Sequence, residues 1–155
     1  MKKTVVIIRD VIFVMAAAVI IAAGLCTVLQ IKPAVVISGS MEPAIHIGSL
    51  VLIEKNKTEP AIGDIIAFEK GGAFITHRVA ETRNEGYITK GDANRTFDPG
   101  IVTEDMIVGT TVLTVPYAGY AVKALSTGRG IIICVTVYAS IMLASCMMSA
   151  KSEKG

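Results

Sequence analysis

The stretch AFITHRVAE, Ala73 to Glu81, decides how the middle of this chain is read. An extended chain points successive side chains to opposite faces. Ile75, His77 and Val79 then share one face, and Phe74, Thr76 and Arg78 share the other. Working outward, the neighbouring runs are of the same kind: PAVVI (33–37), SLVLIE (49–54), DIIAFE (64–69), GYIT (86–89) and MIVGTTVLTV (106–115). Between them KNKTEPAIG, KGG, TRNEG and KGDANRTFDPG supply Gly, Asn, Asp and Pro. β-Branched runs separated by turn residues predict strands. No segment here keeps a helical period over three turns. A small, mainly β domain with a coiled or barrel-like sheet and a thin core is expected over residues 30–125.

The ends of the chain are different. Val11 to Leu29 holds nineteen residues without a charge, extended by Val5 to Ile8 across Arg9 and Asp10, and Ile131 to Ala150 holds twenty more. Only 18% of the 155 residues are charged, and mean hydropathy is +0.61. Soluble domains carry about 25% charged residues. Two transmembrane helices, 5–29 and 130–150, are expected, since about 20 apolar residues cross a bilayer. The first apolar run is longer than the ~7–15 residues of a cleaved signal, so it reads as a retained anchor. AAGLC (22–26) resembles a lipoprotein box only faintly, because Leu25 precedes the cysteine. Lys2, Lys3 and Arg9 precede the first span, and Lys151 and Lys154 follow the second. The positive-inside rule puts both termini in the cytoplasm and the β domain on the extracytoplasmic, or lumenal, face. Lys123 and Arg129 count against that orientation. A net charge of +2 excludes an extended nucleic-acid surface. Cys26, Cys134 and Cys146 all lie in the apolar runs, so no disulfide framework, metal site or cofactor is expected.

Upstream of the histidine strand lies SGSMEPAIHIGS, Ser38 to Ser49. A serine becomes a nucleophile when a base takes its proton. His46 is six residues from Ser40 and reaches it only if the loop folds back tightly. His77 comes from a separate strand and can face Ser40 across a site. Taken alone, that strand favours a core histidine held by a backbone carbonyl; paired with Ser40, His77 becomes the candidate base. A third group must fix the imidazole, and KGDANRTFDPG offers Asp92 and Asp98, either of which is within reach. Each alone also reads as a turn acid. The Ser40 N–H and the Ser38 hydroxyl are candidate oxyanion donors. Asp64 and Asp105 read as turn caps.

SGSMEP (38–43), IGSLVLIE (47–54), GDIIAF (63–68), THRV (76–79), KGDANRTFD (90–98) and VPYAGY (115–120) together resemble type I signal peptidase. The resemblance is to its serine–histidine branch, found in the endoplasmic reticulum, archaea and some Gram-positive bacteria. It implies Ser40 as nucleophile, His77 as general base, Asp98 as partner of the histidine, Asp92 as a second required acid and Ser38 as an oxyanion donor. Ser49 stands where many relatives have Asp. The implied fold is a β-rich coiled sheet. The implied activity is removal of signal peptides from exported preproteins, with small residues at positions −1 and −3. Val35, Ile37 and Ile75 are expected to line the substrate pocket. Signal peptides, membrane lipid and translocase or accessory subunits are the expected partners, with no nucleic acid. Two readings compete: a non-catalytic membrane adaptor with a β domain, and a self-cleaving or regulatory serine protease of the related fold, although that branch uses a lysine base and lacks spans.

Overall fold

A computed structural model describes residues 2–57 and 59–153. The chain divides into two compact units. One is Cys26–Val122, and the other takes in the chain up to Leu25 and from Lys123 onward.

Within the first unit, six strands form one antiparallel sheet. They are β1 (Ile31–Val35), β2 (Leu50–Glu54), β3 (Ile65–Lys70), β4 (Ala73–Arg83), β5 (Gly86–Lys90) and β6 (Ile107–Val115). Their order is β1-β2-β6-β3-β4-β5. The sheet is open, with β1 and β5 as its edges. Bulges at Leu52/Ile53, Ala67/Phe68 and Val79/Glu81 shift the register. Such bulges bend a strand and increase its twist.

β3 explains how a small domain acquires a core. Its run IIAF has no polar alternation, and both of its faces are covered. Ile66 and Phe68 pack with Val79, Tyr87, Val102 and Ile107. Ala67, with its back to them, packs with Met41, Ile45, Val51 and Ile53. The thin core expected from the sequence is therefore two clusters, one on each side of the sheet. The second cluster matters for function, because Met41 and Ile45 anchor the loop that carries Ser40. A short helix, α2 (Ala118–Ser126), follows β6. Its first turn is fixed by Gly119 N–H donating to Gly48 O at 2.9 Å. Gly48 has φ +81°, and a Cβ there would meet the Tyr120 ring at 2.1 Å. No larger residue fits that position.

The other unit holds most of α1, which spans Lys2–Val28, and α3, which spans Gly128–Glu153. α1 terminates beside Gln30, which adopts a left-handed conformation with φ 56°, a common way to end a helix. Thr127 caps α3, its hydroxyl accepting the Gly130 N–H at 3.1 Å. Among the described residues one helix, Val6–Val28, is long and apolar enough to cross a membrane. Its 23 residues reach about 35 Å at 1.5 Å each, against ~30 Å of hydrocarbon. α2 and Gly128–Ala144 meet the same test only as a pair, bent by 84° at the break between them. Lys154, one of the basic residues of the orientation argument, lies outside the described residues.

Candidate active site

β4 pairs with β3 along Ala73–Arg78 on one side, but with β5 only from Arg78 onward on the other. The segment Ala73–His77 thus has one edge without a strand partner. The Ser38–Ser49 loop and the loop that follows β5 both reach this strand at His77, leaving a cleft along Phe74–His77. The first is held by its own turns, Glu42 N–H to Gly39 O at 3.1 Å and Ile45 N–H to Met41 O at 2.8 Å. Met41, next to Ser40, is buried at 2% exposure, which fixes the serine from below. The second loop clasps the first: Ala93 N–H donates to Ser40 O at 2.9 Å.

Three of the residues singled out in the sequence meet here. His77 Nε2 stands 2.9 Å from Ser40 Oγ, and His77 Nδ1 stands 2.5 Å from Asp98 Oδ2. A carboxylate can only accept, so Nδ1 carries the proton and the Nε2 lone pair faces the serine hydroxyl. Asp98 is itself fixed by the Thr89 hydroxyl, which donates to the same Oδ2 at 2.7 Å. Thr89 is fully buried, His77 is nearly so, and Phe68 meets the imidazole edge-on with ring centroids 6.4 Å apart. The base is thus held in a dry, aromatic setting with one orientation. Ser38 Oγ lies 3.4 Å from Ser40 Oγ, on the solvent side.

Asp92 and His46 are placed elsewhere. The Asp92 carboxylate receives two hydrogen bonds from Arg78, 2.9 Å from Nε and 2.7 Å from Nη2. Arg78 Nη1 also donates to Gly63 O at 2.7 Å. The hydrogen bonds to Asp92 raise the Arg78 pKa above its ordinary value, against the opposing effect of partial burial. Of the two acids that spacing left open, the structure brings Asp98 to the histidine and Asp92 to Arg78. His46 Nδ1 pairs with Glu42 Oε2 at 2.6 Å, and its ring stacks on Tyr117. The sequence reading did not single out Thr89 and Arg78 as site residues. Arg78 was visible only as the neighbour of His77 on the opposite face, and Thr89 only through the β4–β5 register that sets it opposite Val79.

A cleft of about 230 Å³ opens beside Ser40. Ser38, Ser40 and His77 border it, together with Val35, Ile37 and Ile75. Among the described residues no group of three His, Cys, Asp or Glu side chains could hold a metal ion.

A half-buried serine–histidine–carboxylate line at the open edge of a β-sheet can support nucleophilic acyl transfer. The family of signal peptidases, peptidase S26, matches residues 8–90. This chain belongs to that family. It is 34% identical to the signal peptidase complex catalytic subunit SEC11 of Colletotrichum graminicola, over 59% of this chain and 62% of that one. It is 34% identical to the subunit of the same name from Schizophyllum commune, over 66% and 69%. With the human subunit SEC11C it shares 34% identity over 55% and 52%. The chain thus spans between about half and two thirds of the length of these relatives. Asp92 and Asp98 lie beyond the residues matched by the family.

Proposed function

We propose that this protein is a membrane-anchored serine endopeptidase that removes N-terminal signal peptides from exported preproteins. The observation that carries the proposal is the continuous line from Ser40 Oγ through His77 to Asp98, with contacts of 2.9 and 2.5 Å. Ser40 Oγ attacks the scissile carbonyl, and His77 Nε2 takes its proton. The Asp98 carboxylate steadies the imidazolium that forms. The tetrahedral oxyanion is met by the Ser40 N–H, which has no acceptor among the described residues, and by the Ser38 hydroxyl. His77 then gives its proton to the leaving amine. Water, activated by the same imidazole, hydrolyses the acyl-enzyme and restores Ser40.

Substrate binding uses the open edge of β4. A preprotein segment in extended form adds as a strand along Ala73–His77, so that main-chain hydrogen bonds supply affinity. Its alternate side chains then enter the small cleft bordered by Val35, Ile37 and Ile75, which suits small residues at −1 and −3. Two spans, Val6–Val28 and the C-terminal apolar segment, anchor the enzyme with both termini cytoplasmic and the sheet domain on the far side. Membrane lipid and accessory or translocase subunits are the partners of this arrangement, in keeping with relatives named as subunits of a signal peptidase complex. Sharing a membrane with the substrate raises their effective concentration.

The test is cleavage of a labelled preprotein by the purified full chain in lipid. Wild type releases a mature product with one new N-terminus, whereas Ser40→Ala and His77→Ala, inserted and folded, release none. Equal cleavage by His77→Ala, or loss confined to His46→Ala, assigns the base to the wrong histidine. No cleavage by wild type of any preprotein leaves the non-catalytic adaptor.

A further inference from the structure

His46 stands outside the serine–histidine–aspartate line, yet its ring is held on two sides. Its Nδ1 donates to Glu42 Oε2 at 2.6 Å, since a carboxylate can only accept. Its plane stacks on Tyr117, with ring centroids 5.7 Å apart and 2° between the planes. The other oxygen of the same carboxylate, Glu42 Oε1, accepts the Ile47 N–H at 3.2 Å. One carboxylate therefore ties the start of the Ser38–Ser49 loop to its far limb. That limb is seated in turn: Gly48 N–H donates to Val36 O at 2.8 Å, and Gly48 O accepts the Gly119 N–H.

This brace bears on the peptide that carries the Ser40 N–H. The turn closes through Glu42 N–H to Gly39 O at 3.1 Å. A Cβ on Gly39 would lie 3.5 Å from Glu42 Cγ and 3.6 Å from Ile47 Cδ1, which is ordinary van der Waals contact. The Glu42 stem and the Ile47 side chain thus back the residue just before Ser40. An oxyanion donor is effective when its direction is fixed before the charge develops. The His46 and Glu42 side chains are 42% and 37% exposed, and a pair so open to water adds little to stability. Its effect falls on position.

We infer that the Glu42 carboxylate, itself steadied by His46 on Tyr117, is a positioning group that fixes the Gly39–Ser40 peptide as oxyanion donor. It acts through the loop, apart from His77 and Asp98. The inference rests on the peptidase reading of Ser40 and adds a positioning device to it.

The experiment measures kcat and KM for one labelled preprotein, with the full chain in lipid and circular dichroism as a folding control. Glu42→Ala should lower kcat about tenfold, less than the ~10²–10³ lost with a donor removed outright, and leave KM near wild type. Glu42→Gln keeps an oxygen for the Ile47 N–H and should lose less. His46→Ala and Tyr117→Ala should each cost about threefold, whereas Tyr117→Phe, which keeps the stacked ring, should retain most of kcat. The double variant Glu42→Ala/His46→Ala should be no worse than Glu42→Ala, because His46 works through that carboxylate. The acid limb of the kcat–pH profile should keep its midpoint in Glu42→Ala, since the base is untouched; a scaffold loosened as a whole would move it. Unchanged kcat in a folded Glu42→Ala, a loss confined to KM, a displaced acid limb, or losses that multiply in the double variant would each overturn the inference while the peptidase reading stands. If wild type cleaves no preprotein, both fall together.

Discussion

Thr89 and Asp98 are bonded to each other twice. The Thr89 hydroxyl donates to Asp98 Oδ2 at 2.7 Å, and the Asp98 N–H donates to the Thr89 carbonyl at 2.8 Å. The end of strand β5 thereby holds the carboxylate at a fixed height against His77. Asp98→Asn places an amide where the imidazole needs an acceptor, and it favours the wrong tautomer. Its kcat should fall by about 10⁴, as for the equivalent loss in serine protease triads. Thr89→Val keeps the shape and removes only the hydroxyl, so its loss should be far smaller, about tenfold. Steady-state cleavage of a preprotein, with circular dichroism as a folding control, separates the two. Equal effects would mean that Thr89 holds the fold rather than the carboxylate.

Ser38 and Ser40 stand with hydroxyl oxygens 3.4 Å apart on one face of the chain. If Ser38 donates to the oxyanion, Ser38→Ala should lower kcat by about 10²–10³ with little change in KM. Ser38→Thr retains the hydroxyl and should recover much of the loss. A KM effect without a kcat effect would put Ser38 in substrate binding instead.

Gly91 backs onto the carbonyl of Ser40. A Cβ there would lie 2.6 Å from that oxygen and 2.7 Å from Asn94 Nδ2. Gly91→Ala must push the Ser40 loop and the Asp92 loop apart. Preprotein cleavage should drop at least tenfold while α1 and α3 keep their helix signal. Gly24→Ala, with open space around its Cβ position, is the matching control and should behave as wild type. Undiminished cleavage by Gly91→Ala would show that the serine tolerates a displacement of its carbonyl.

Much of the sheet was legible because β-branched runs and turn residues carry the signal locally. DIIAFE, AFITHRVAE, GYIT and MIVGTTVLTV fall on β3, β4, β5 and β6 within one or two residues at nearly every boundary. PAVVI is displaced: β1 is Ile31–Val35, with Pro33 inside it. Pro is acceptable there because β1 is an edge strand. α2 was not legible, since nine residues make too few turns for a period to emerge. The choice between Asp92 and Asp98 was not legible from spacing, and only the family resemblance pointed to Asp98. Both sit in one loop, and only the bulged register of β4 against β5 decides which of them meets His77 and which meets Arg78. The resemblance to signal peptidases drew on six motifs, KGDANRTFD with both acids among them, whose order along the chain survives without any knowledge of register.

The membrane layout makes a prediction of its own. Lys2, Lys3 and Arg9 all lie at the N-terminal end of the first apolar helix. Reporters fused at both termini should be active in the cytoplasm, and one inserted in the 55–60 loop should be active only on the far side. A C-terminal reporter on the far side would mean that the segment from Gly128 does not cross. A loop reporter in the cytoplasm would remove the preprotein assignment altogether.

Arg78 and Asp92 decide whether the second acid of the loop acts on the reaction or on the scaffold. Their side chains are 36% and 19% exposed, so the pair should contribute modestly to stability, about 0.5–1 kcal/mol of coupling. Its larger effect is positional. The pair ties β4, one residue past His77, to the loop whose Ala93 N–H holds Ser40 O. Arg78→Ala and Asp92→Ala should each lower kcat, and the double variant should be little worse than either, because both break the same tie. The cycle is read from kcat on one preprotein and from melting temperature in parallel. If Asp92→Ala abolishes cleavage while Arg78→Ala leaves it intact, the Asp92 carboxylate serves the chemistry itself. Equal and non-additive losses make it a positioning residue, acting on Ser40 through the loop.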